Sequence, residues 1–174
     1  MTGKTFFNSV TGGPTDIVQL LLSLLEETRS AYCVIGGLAV NAYAEPVVSL
    51  DLDLIVIDDR IDALRAAARA KGMTVQEFPH SVNLSLAGSQ LRIQIQTDPR
   101  YQNFLSRCNS KEVLGYQMEI ACLEDVLRGK IWAYSDPARP KSKRHKDLAD
   151  ISRLVETHPE LKAQLPPDIA EQVE

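Results

Sequence analysis

The stretch "VIGGLAVNAYAEPVVSLDLDLIVID", residues 34–58, contains the two features that decide the fold prediction for this chain. The first is a short apolar run that ends at Gly36 and Gly37, which predicts a strand followed by a turn into a short helix. The second is the run "LDLDLIVI", in which Asp51 and Asp53 interrupt residues that favour a strand. Two carboxylates in a strand that should be buried need a physical explanation, because burying an unpaired charge is costly.

Asp51 and Asp53 are predicted to share one face of their strand. Side chains two residues apart in a strand point to the same side, so Leu52 and Leu54 can take the opposite face and join the core. Neighbouring carboxylates repel each other unless a cation neutralises them, and Mg²⁺ or Mn²⁺ is the usual solution because these ions prefer oxygen ligands. Taken alone, the D-x-D pattern fits two solvated aspartates on an edge strand equally well.

The glycine pair adds weight to the metal interpretation. Gly36 and Gly37 are predicted to lie between a strand and a helix, where glycine lets the backbone approach a phosphate and the helix start offers unpaired amides. A phosphate cradle beside a carboxylate pair is typical of nucleotide chemistry, in which a metal bridges phosphate oxygens and stabilises the leaving pyrophosphate. A tight turn without a ligand is the alternative interpretation of the glycines.

The composition is that of an ordinary globular domain. The chain has 174 residues, 44% of them hydrophobic and 24% charged, and a formal net charge of -4. A protein that mainly coats nucleic acid would usually be basic. The three cysteines show no zinc-ribbon spacing, and the apolar run "IVQLLLSLLEE" is too short to span a bilayer. We therefore expect a cytoplasmic protein with no membrane partner.

Outward from the opening stretch, the sequence predicts an α/β core followed by a helical C-terminal third. Residues 1–14 combine chain breakers with few apolar residues and are expected to be a flexible N-terminal arm. The core, over residues 15–121, should contain helix, strand, helix, strand and helix, then a hairpin whose strands "VNLSLAG" and "QLRIQIQTD" alternate strictly. A further short strand is predicted in "GYQMEIACLE". Residues 122–174 are expected to be a helical region.

Two glycines after a strand, followed by "DLDL" after thirteen further residues, resemble the signature of the DNA polymerase beta-like nucleotidyltransferase superfamily. The version "VIGGLAVNAY…SLDLDLIV", with "RHKDLADI" near the C-terminus, is similar to the AbiEii-type branch of bacterial nucleotidyltransferases. That branch includes toxins of toxin–antitoxin and phage-defence systems. The resemblance spans roughly residues 30–155 and implies a nucleotidyltransferase-type mixed β-sheet flanked by helices.

The resemblance also implies roles for particular residues. Asp51 and Asp53 would bind Mg²⁺ or Mn²⁺, and the glycine pair would contact the phosphates of a nucleoside triphosphate. A lysine on a later helix, here Lys130, would offer a point charge to the triphosphate, and Asp147 would orient that lysine or the acceptor. Asp147 and Asp150 fit helix-surface charges or an internal salt bridge equally well. The predicted nucleotide-binding set is Gly36, Gly37, Ser49, Lys130 and Lys146.

The superfamily usually supplies a third carboxylate from a neighbouring strand, commonly as the base that activates the acceptor hydroxyl. In "LRIQIQTD" the expected position is occupied by Gln94 or Gln96, and glutamine cannot take a proton as aspartate does. Three explanations stay open. Asp98 at the strand end reaches in, two carboxylates suffice with another base, or the protein is a degenerate member that binds a nucleotide or a partner without turnover.

The densest positive charge lies in "RPKSKRHK", residues 139–146, which would attract a triphosphate or an RNA end, or is simply a solvated loop. The predicted function is metal-dependent transfer of a nucleoside monophosphate to a hydroxyl of RNA, a protein or a small molecule. A cognate antitoxin is a candidate partner. Trp132, Tyr134 and Tyr101 could stack on a base, but such aromatics more often pack between core and helices.

Overall fold

A mixed seven-stranded β-sheet is the centre of the fold in a computed structural model, which describes residues 3–174. Its order is β3-β4-β5-β2-β1-β7-β6, with β2 parallel to β5 and β1 parallel to β7. The other neighbouring pairs are antiparallel. The strands are β1 (Tyr32–Ile35), β2 (Asp51–Val56), β3 (Thr74–Phe78), β4 (Ser81–Ser85), β5 (Arg92–Gln96), β6 (Asn109–Val113) and β7 (Tyr116–Ile120).

Helices flank this sheet and make up most of the C-terminal part of the chain. The α-helices are α1 (Gly3–Thr11), α2 (Ile17–Glu27), α3 (Gly36–Val40), α4 (Ile61–Ala70), α5 (Leu123–Ser135), α6 (Lys141–Thr157) and α7 (Pro167–Val173). Short 3₁₀ helices span Asp58–Arg60, Pro99–Arg107 and Pro159–Gln164. The mixed sheet, its flanking helices and the helical C-terminal third confirm the predicted fold class.

The predicted hairpin is confirmed, but two strands were not predicted. β4 and β5 pair in antiparallel fashion with Val82 opposite Ile95, as the two alternating runs indicate. β3 and β6 form the two edges of the sheet. Most of their side chains are exposed, so neither strand shows the apolar alternation by which half-buried strands are recognised.

The first residues of the chain differ from the prediction of a flexible arm over residues 1–14. Residues 3–11 form α1, and Phe7, which is 2% exposed, packs edge-on against the ring of Tyr116. Tyr116 Oη also donates to Asp16 Oδ1 over 2.8 Å. The arm prediction is therefore wrong for residues 3–11, because this segment gains a long-range contact that local sequence does not reveal. The part of the prediction that concerns residues 1 and 2 lies outside the described residues.

The sheet and α2 contribute to one hydrophobic core. On β2, Leu52 and Leu54 are buried, as the alternation predicts. On α2, Leu21, Leu24 and Leu25 are buried at the spacing of one helix face. Further along, α5 and α6 pack against each other and against α3, which brings the C-terminal helices next to the start of β2. None of the helices in residues 3–174 combines the length and apolar character needed to cross a membrane.

Candidate active site

The carboxylates of Asp51 and Asp53 lie on one face of β2, opposite the buried Leu52 and Leu54. Both are partly buried and line a pocket of about 310 Å³. The alternative of two solvated aspartates on an edge strand is wrong, because β2 lies between β1 and β5 inside the sheet. The pair therefore faces a cavity rather than open solvent.

The two glycines meet different structural demands. Gly36 directly follows Ile35, which pairs with Asp53, and it has a φ of +72° that side-chain-bearing residues rarely adopt. A Cβ at Gly36 would collide with Asp53 Oδ2. At Gly37 a Cβ would lie 3.7 Å from Ser49 Oγ, an ordinary van der Waals distance. Gly36 is thus required by the position of Asp53, whereas Gly37 keeps the backbone accessible from the pocket.

One pocket brings together residues that are far apart in the chain. It lies between the start of α3, the polar side of β2 and β5, and parts of α5 and α6. Of the predicted site residues it contains Gly36, Gly37, Ser49, Asp51, Asp53, Gln94, Gln96, Lys130, Lys146 and Asp147. It also contains Ile35, Arg92, Tyr101, Gly129, Ala133, Arg139 and Lys143. Ser49 accepts a hydrogen bond from the amide of Asp51 through its Oγ at 3.2 Å, so it also holds the start of β2.

Asp53 is the less neutralised of the two carboxylates. Burial raises the pKa of Asp53 to about 6, the attraction of Lys130 opposes this shift, and the repulsion of Asp51 adds to it. Among the described residues, no cationic side chain forms an ion pair with Asp53. A partly buried carboxylate without a close cation is stabilised by any cation that enters the pocket.

Asp51 has one cationic neighbour, which the sequence interpretation did not include in the site. Arg92 stands opposite Asp51 in the parallel pairing of β2 and β5, and its Nε lies 2.8 Å from Asp51 Oδ1. The Arg92 side chain is 67% exposed, so this ion pair contributes little to stability and can be given up at low cost. The only sequence signal was the place of Arg92 on the same strand face as Gln94.

Lys130 belongs to a buried ion-pair network rather than standing free in the pocket. Its Nζ lies 3.1 Å from Asp147 Oδ1 and 2.8 Å from Asp150 Oδ2. Arg139 Nε also donates to Asp147 at 2.6 Å, and Arg153 Nη1 donates to Asp150 at 2.8 Å. Burial alone would lower the pKa of Lys130, but the carboxylates of Asp150 and Asp147 outweigh it and raise that pKa.

This network gives Asp147 and Asp150 the internal salt-bridge role, one of the two interpretations left open by the sequence. Asp147 reaches the pocket lining and Asp150 lies behind it, close to the backbone of Gly37. Lys130 still lines the pocket, held by the two carboxylates in a fixed position near Asp53. It can therefore act on a ligand through its charge while its position is set by the network.

Glutamine takes the position at which a third carboxylate was sought. Gln94 stands opposite Asp53 and Gln96 opposite Ile55 in the β2–β5 register, and both glutamines line the pocket. Asp98 does not reach in, since it caps the following 3₁₀ helix and pairs with Arg100 at 3.0 Å. In residues 3–174 no three His, Cys, Asp or Glu side chains converge as a metal-binding group. The explanation that relied on Asp98 is therefore wrong.

The cationic side chains of residues 139–146 include some that are bound to protein groups and some that have no ion-pair partner among the described residues. Arg139 is bound to Asp147, and Arg144 donates to the backbone oxygen of Tyr134 at 2.6 Å. Lys143 and Lys146, one helical turn apart on α6, both line the pocket. Within the described part of the chain neither lysine has an ion-pair partner. Lys143 was not predicted individually, although its spacing from Lys146 on a helix would have shown that both share a face.

The aromatic residues pack between the core and the helices, as the more conservative interpretation expected. Trp132 stacks on Phe104 with ring centroids 5.6 Å apart, and Tyr101 packs edge-on against both rings. Tyr101 alone among the three named aromatics reaches the pocket lining, and it is 6% exposed. It forms part of the wall rather than a free stacking platform.

The donor set fits one divalent cation bound together with a phosphate ligand. Mg²⁺ commonly takes one or two protein carboxylates and completes its octahedron with water and substrate phosphate oxygens. Asp51 and Asp53 supply two carboxylates on one strand face, and the raised pKa of Asp53 shows that its charge is poorly compensated. Arg92 would have to release or share Asp51 when such an ion binds.

Solved structures of nucleotidyltransferases share this fold. ANT(2'')-Ia in complex with adenylyl-2''-tobramycin has a TM-score of 0.59 at 15% identity, over 90% of this chain and 92% of that chain. The lincosamide antibiotic adenylyltransferase LnuA, bound to lincomycin, has a TM-score of 0.57 at 12% identity, over 82% of this chain and 99% of that chain.

A third likeness is to a nucleotidyltransferase-like protein from Paracoccidioides brasiliensis, with a TM-score of 0.51 at 14% identity over 90% of each chain. No family model matches the sequence, and no curated protein matches it. At these identities the structural likeness concerns the fold. The chain therefore has a nucleotidyltransferase-type fold. Its activity is inferred from the residues of its own site.

Proposed function

We propose that this protein is a nucleotidyltransferase that transfers a nucleoside monophosphate from a nucleoside triphosphate to a hydroxyl acceptor. The observation that carries the proposal is the single pocket in which Gly36 and Gly37, the Asp51–Asp53 pair and the free lysines of α6 meet. That pocket occurs in a fold shared with the lincosamide antibiotic adenylyltransferase LnuA and with ANT(2'')-Ia, which was solved in complex with adenylyl-2''-tobramycin. The arrangement offers amide, carboxylate and ammonium groups to one triphosphate.

Each group in the pocket has a part in holding the triphosphate. Asp51 and Asp53 would hold Mg²⁺ or Mn²⁺, which would supply positive charge to stabilise the leaving pyrophosphate. Gly37 allows the phosphates to approach the backbone. Lys143 and Lys146 attract the outer phosphates, because they line the pocket without a carboxylate partner in the described chain.

The transfer itself exchanges a phosphoanhydride bond of the triphosphate for a phosphate ester bond to the acceptor. The acceptor oxygen forms a bond to the α-phosphorus, the bond from that phosphorus to the bridging oxygen breaks, and pyrophosphate leaves. The hydroxyl proton is released to solvent. Gln94 lies beside Asp53 and can orient the hydroxyl by a hydrogen bond, but it cannot accept the proton. Positioning and charge stabilisation therefore supply the catalysis, with no protein base assigned.

A second function is favoured by two specific observations. Glutamine at position 94 and the pairing of Arg92 with Asp51 both suit a protein that binds a nucleotide without turning it over. In such a protein Arg92 would neutralise part of the carboxylate charge that a metal neutralises in an enzyme. This degenerate protein would bind the nucleoside triphosphate or a protein partner and release no pyrophosphate.

The biological context of the proposed activity is inferred from sequence resemblance alone. The motifs "VIGGLAVNAY" and "RHKDLADI" support a relationship to the AbiEii-type branch, a bacterial and cytoplasmic setting, and a cognate antitoxin as partner. Induced expression in a bacterial host tests this part. Growth arrest that disappears in an Asp51→Asn/Asp53→Asn variant would support it, and normal growth with wild-type protein at equal expression would argue against it.

Transfer of label from α-³²P-labelled nucleoside triphosphates to components of a cell extract tests the activity directly. We expect Mg²⁺- or Mn²⁺-dependent labelling with wild-type protein and none with Asp51→Asn/Asp53→Asn. Asp58→Asn/Asp59→Asn is the matched control, because these exposed aspartates follow the same strand outside the pocket. Labelling that persists in the first variant would refute the mechanism, and binding without any labelling would favour the degenerate protein.

A further inference from the structure

The face of β2 that carries Asp53 continues across three more strands to the edge of the sheet. In register, Asp53 stands beside Gln94 on β5, Gln94 beside Asn83 on β4, and Asn83 beside Gln76 on β3. We call this surface the neutral face; it consists of Gln76, Phe78, Ser81, Asn83, Gln94 and Gln96. Because strands lie about 4.8 Å apart, the row from Asp53 to Gln76 is about 14 Å long.

We propose that the neutral face binds the acceptor, and that this acceptor is an uncharged molecule rich in hydroxyl groups. The inference rests on the proposed function, since it assigns the second substrate of the same site. A hydroxyl held at Gln94 would lie next to Asp53, and therefore next to the phosphates of the nucleotide. The rest of the molecule would extend over β4 and β3, away from the lysines of α6.

Accessibility supports this assignment. Gln76 is exposed and Phe78 is 51% exposed, although both lie within a seven-stranded sheet. The side chains of β3 that point the other way face α4, as the ion pair between Glu77 and Arg65 shows. Helix α4 therefore packs on one side of β3, and the neutral face is on the other side.

Unused hydrogen-bonding capacity supports it as well. Asn83 Oδ1 is buried and has no hydrogen-bond partner among the described residues. Gln94 is partly buried, and its side chain makes no hydrogen bond within residues 3–174, whereas Gln96 Oε1 accepts from the amide of Asp98 at 3.0 Å. A carboxamide offers two N–H donors and one acceptor oxygen, which complements a hydroxyl that both donates and accepts. A buried amide oxygen without a partner is destabilising, and a ligand hydroxyl that donates to Asn83 Oδ1 would remove this cost.

The charge pattern decides which kind of acceptor fits. Among the residues of β3, β4 and β5 on this face, Arg92 is the one with a charged side chain, and it is paired with Asp51. A polycationic acceptor would need carboxylates along its binding surface, and an RNA would need free cations along its phosphates. The free lysines, Lys143 and Lys146, line the pocket on α6 instead. The neutral face therefore complements an uncharged molecule.

Three probes of different charge test the assignment by NMR. Maltotriose is the neutral probe, tobramycin the cationic probe and a short single-stranded RNA the anionic probe, each titrated into ¹⁵N-labelled full-length protein. We expect maltotriose to shift the side-chain amide signals of Asn83 and Gln94, and the other two probes to leave them unchanged. Shifts of these signals by RNA or tobramycin instead of maltotriose would overturn the proposal.

Two substitutions locate the contact. Asn83→Leu should weaken maltotriose binding about tenfold, the equivalent of one or two lost hydrogen bonds. Gln76→Leu, at an exposed position where folding is not at risk, should weaken it a few-fold. Gln117→Leu is the matched control, because Gln117 is an exposed strand glutamine near the opposite edge of the sheet. Equal loss in all three variants would contradict a specific site.

Binding of the Mg²⁺ complexes of the four common nucleoside triphosphates, measured on the same samples, separates this inference from the proposed function. Nucleotide binding that depends on Asp51 and Asp53, without any effect of maltotriose on the neutral face, overturns the acceptor assignment and leaves the function intact. Maltotriose binding at Asn83 without any nucleotide binding removes the proposed function and leaves a site for neutral hydroxylated ligands.

Discussion

The chain contains two pairs of aspartates whose surroundings are opposite in character. Asp147 and Asp150 on α6 share Lys130, and Arg139 and Arg153 add further ion pairs. On β2, Asp51 forms an ion pair with the exposed Arg92, and Asp53 has no ion-pair partner among the described residues. Asp147 lines the same pocket as Asp51 and Asp53, yet the α6 pair is neutralised by the protein and the β2 pair is not.

This difference in neutralisation distinguishes carboxylates that hold the fold together from carboxylates that are available to a ligand. A buried carboxylate that is fully paired holds neighbouring elements in place, and it has little to gain from an added ion. A partly buried carboxylate with a raised pKa is stabilised by a cation that the protein itself does not supply. The α6 pair therefore positions Lys130, whereas for the β2 pair we propose binding of the metal–nucleotide complex. The following substitutions are expected to have opposite effects on the two pairs.

The largest effect on stability is expected from Asp147→Asn. It leaves Lys130 and Arg139 without one of their charged partners in a buried network, which should lower the free energy of unfolding by about 3–5 kcal/mol. Urea unfolding measures this change. Asp168→Asn, at an exposed position of α7, is the control and should change the free energy by less than about 0.5 kcal/mol. An equally small change for Asp147→Asn would mean that its ion pairs are not structural.

Gly36→Ala is expected to have the next largest effect, because it disturbs the β2 pair through the backbone. A positive φ costs an alanine about 1–2 kcal/mol, and the new methyl group would displace the carboxylate of Asp53. We expect a loss of about 2–3 kcal/mol in urea unfolding and weaker nucleotide binding. Gly37→Ala is the matched comparison and should change stability by less than about 1 kcal/mol, since its Cβ has room. Equal effects of both substitutions would contradict the role given to Gly36.

Asp53→Asn should stabilise the metal-free protein, the reverse of Asp147→Asn. The raised pKa of Asp53 means that its charged form is disfavoured in the fold, so removing the charge at pH 7 should add about 2 kcal/mol to the free energy of unfolding. The same variant should lose metal-dependent nucleotide binding. Destabilisation by Asp53→Asn in the absence of metal would place this residue in the same class as Asp147.

The raised pKa of Asp53 should also appear in the pH dependence of the free energy of unfolding. Between the ordinary carboxyl pKa near 3.8 and the raised value of about 6, the folded protein keeps a proton on Asp53 that the unfolded chain has lost. The contribution of Asp53 to stability is therefore present below this window and is lost as the pH rises through it. The difference in unfolding free energy between wild type and Asp53→Asn should grow in favour of the variant from pH 4 to pH 7. A difference independent of pH would contradict the raised pKa.

Gln94→Asp is expected to give the smallest change and to extend the β2 pair to three carboxylates. A carboxylate opposite Asp53 should raise Mn²⁺ affinity about tenfold, which corresponds to about 1.4 kcal/mol, and should lower the stability of the metal-free protein by like-charge repulsion. Calorimetric titration with Mn²⁺ and urea unfolding measure the two effects. Gln117→Asp, at the distant end of the sheet, is the control. Unchanged metal affinity would show that position 94 does not face the metal.

Local patterns predicted the centre of the site but not what surrounds it. The two-residue spacing of Asp51 and Asp53 placed them on one strand face, and the glycines marked the turn beside them. The pairing of Asp51 with Arg92 depends on two parallel strands joined by a long connection, and no local pattern shows that register. The same holds for Lys130, whose partner carboxylates lie on another helix.

The edge strands β3 and β6 and the first helix, α1, could not be predicted from local sequence patterns either. β3 and β6 are exposed edge strands, so they lack both the apolar content that identified β2 and the alternation that identified β4 and β5. α1 depends on the contact of Phe7 with Tyr116, more than a hundred residues away. Elements that bury one regular face could be predicted, whereas those that depend on distant partners could not.

The most direct test of the metal–nucleotide site is calorimetric titration of the protein with each of the four common nucleoside triphosphates, with and without Mn²⁺. We predict that at least one of them binds only when the metal is present. We also predict that Asp51→Asn/Asp53→Asn abolishes this binding while Asp58→Asn/Asp59→Asn leaves it unchanged. Binding that is equally tight without metal, or that survives the loss of both β2 carboxylates, would contradict the assignment of this pocket as a metal–nucleotide site.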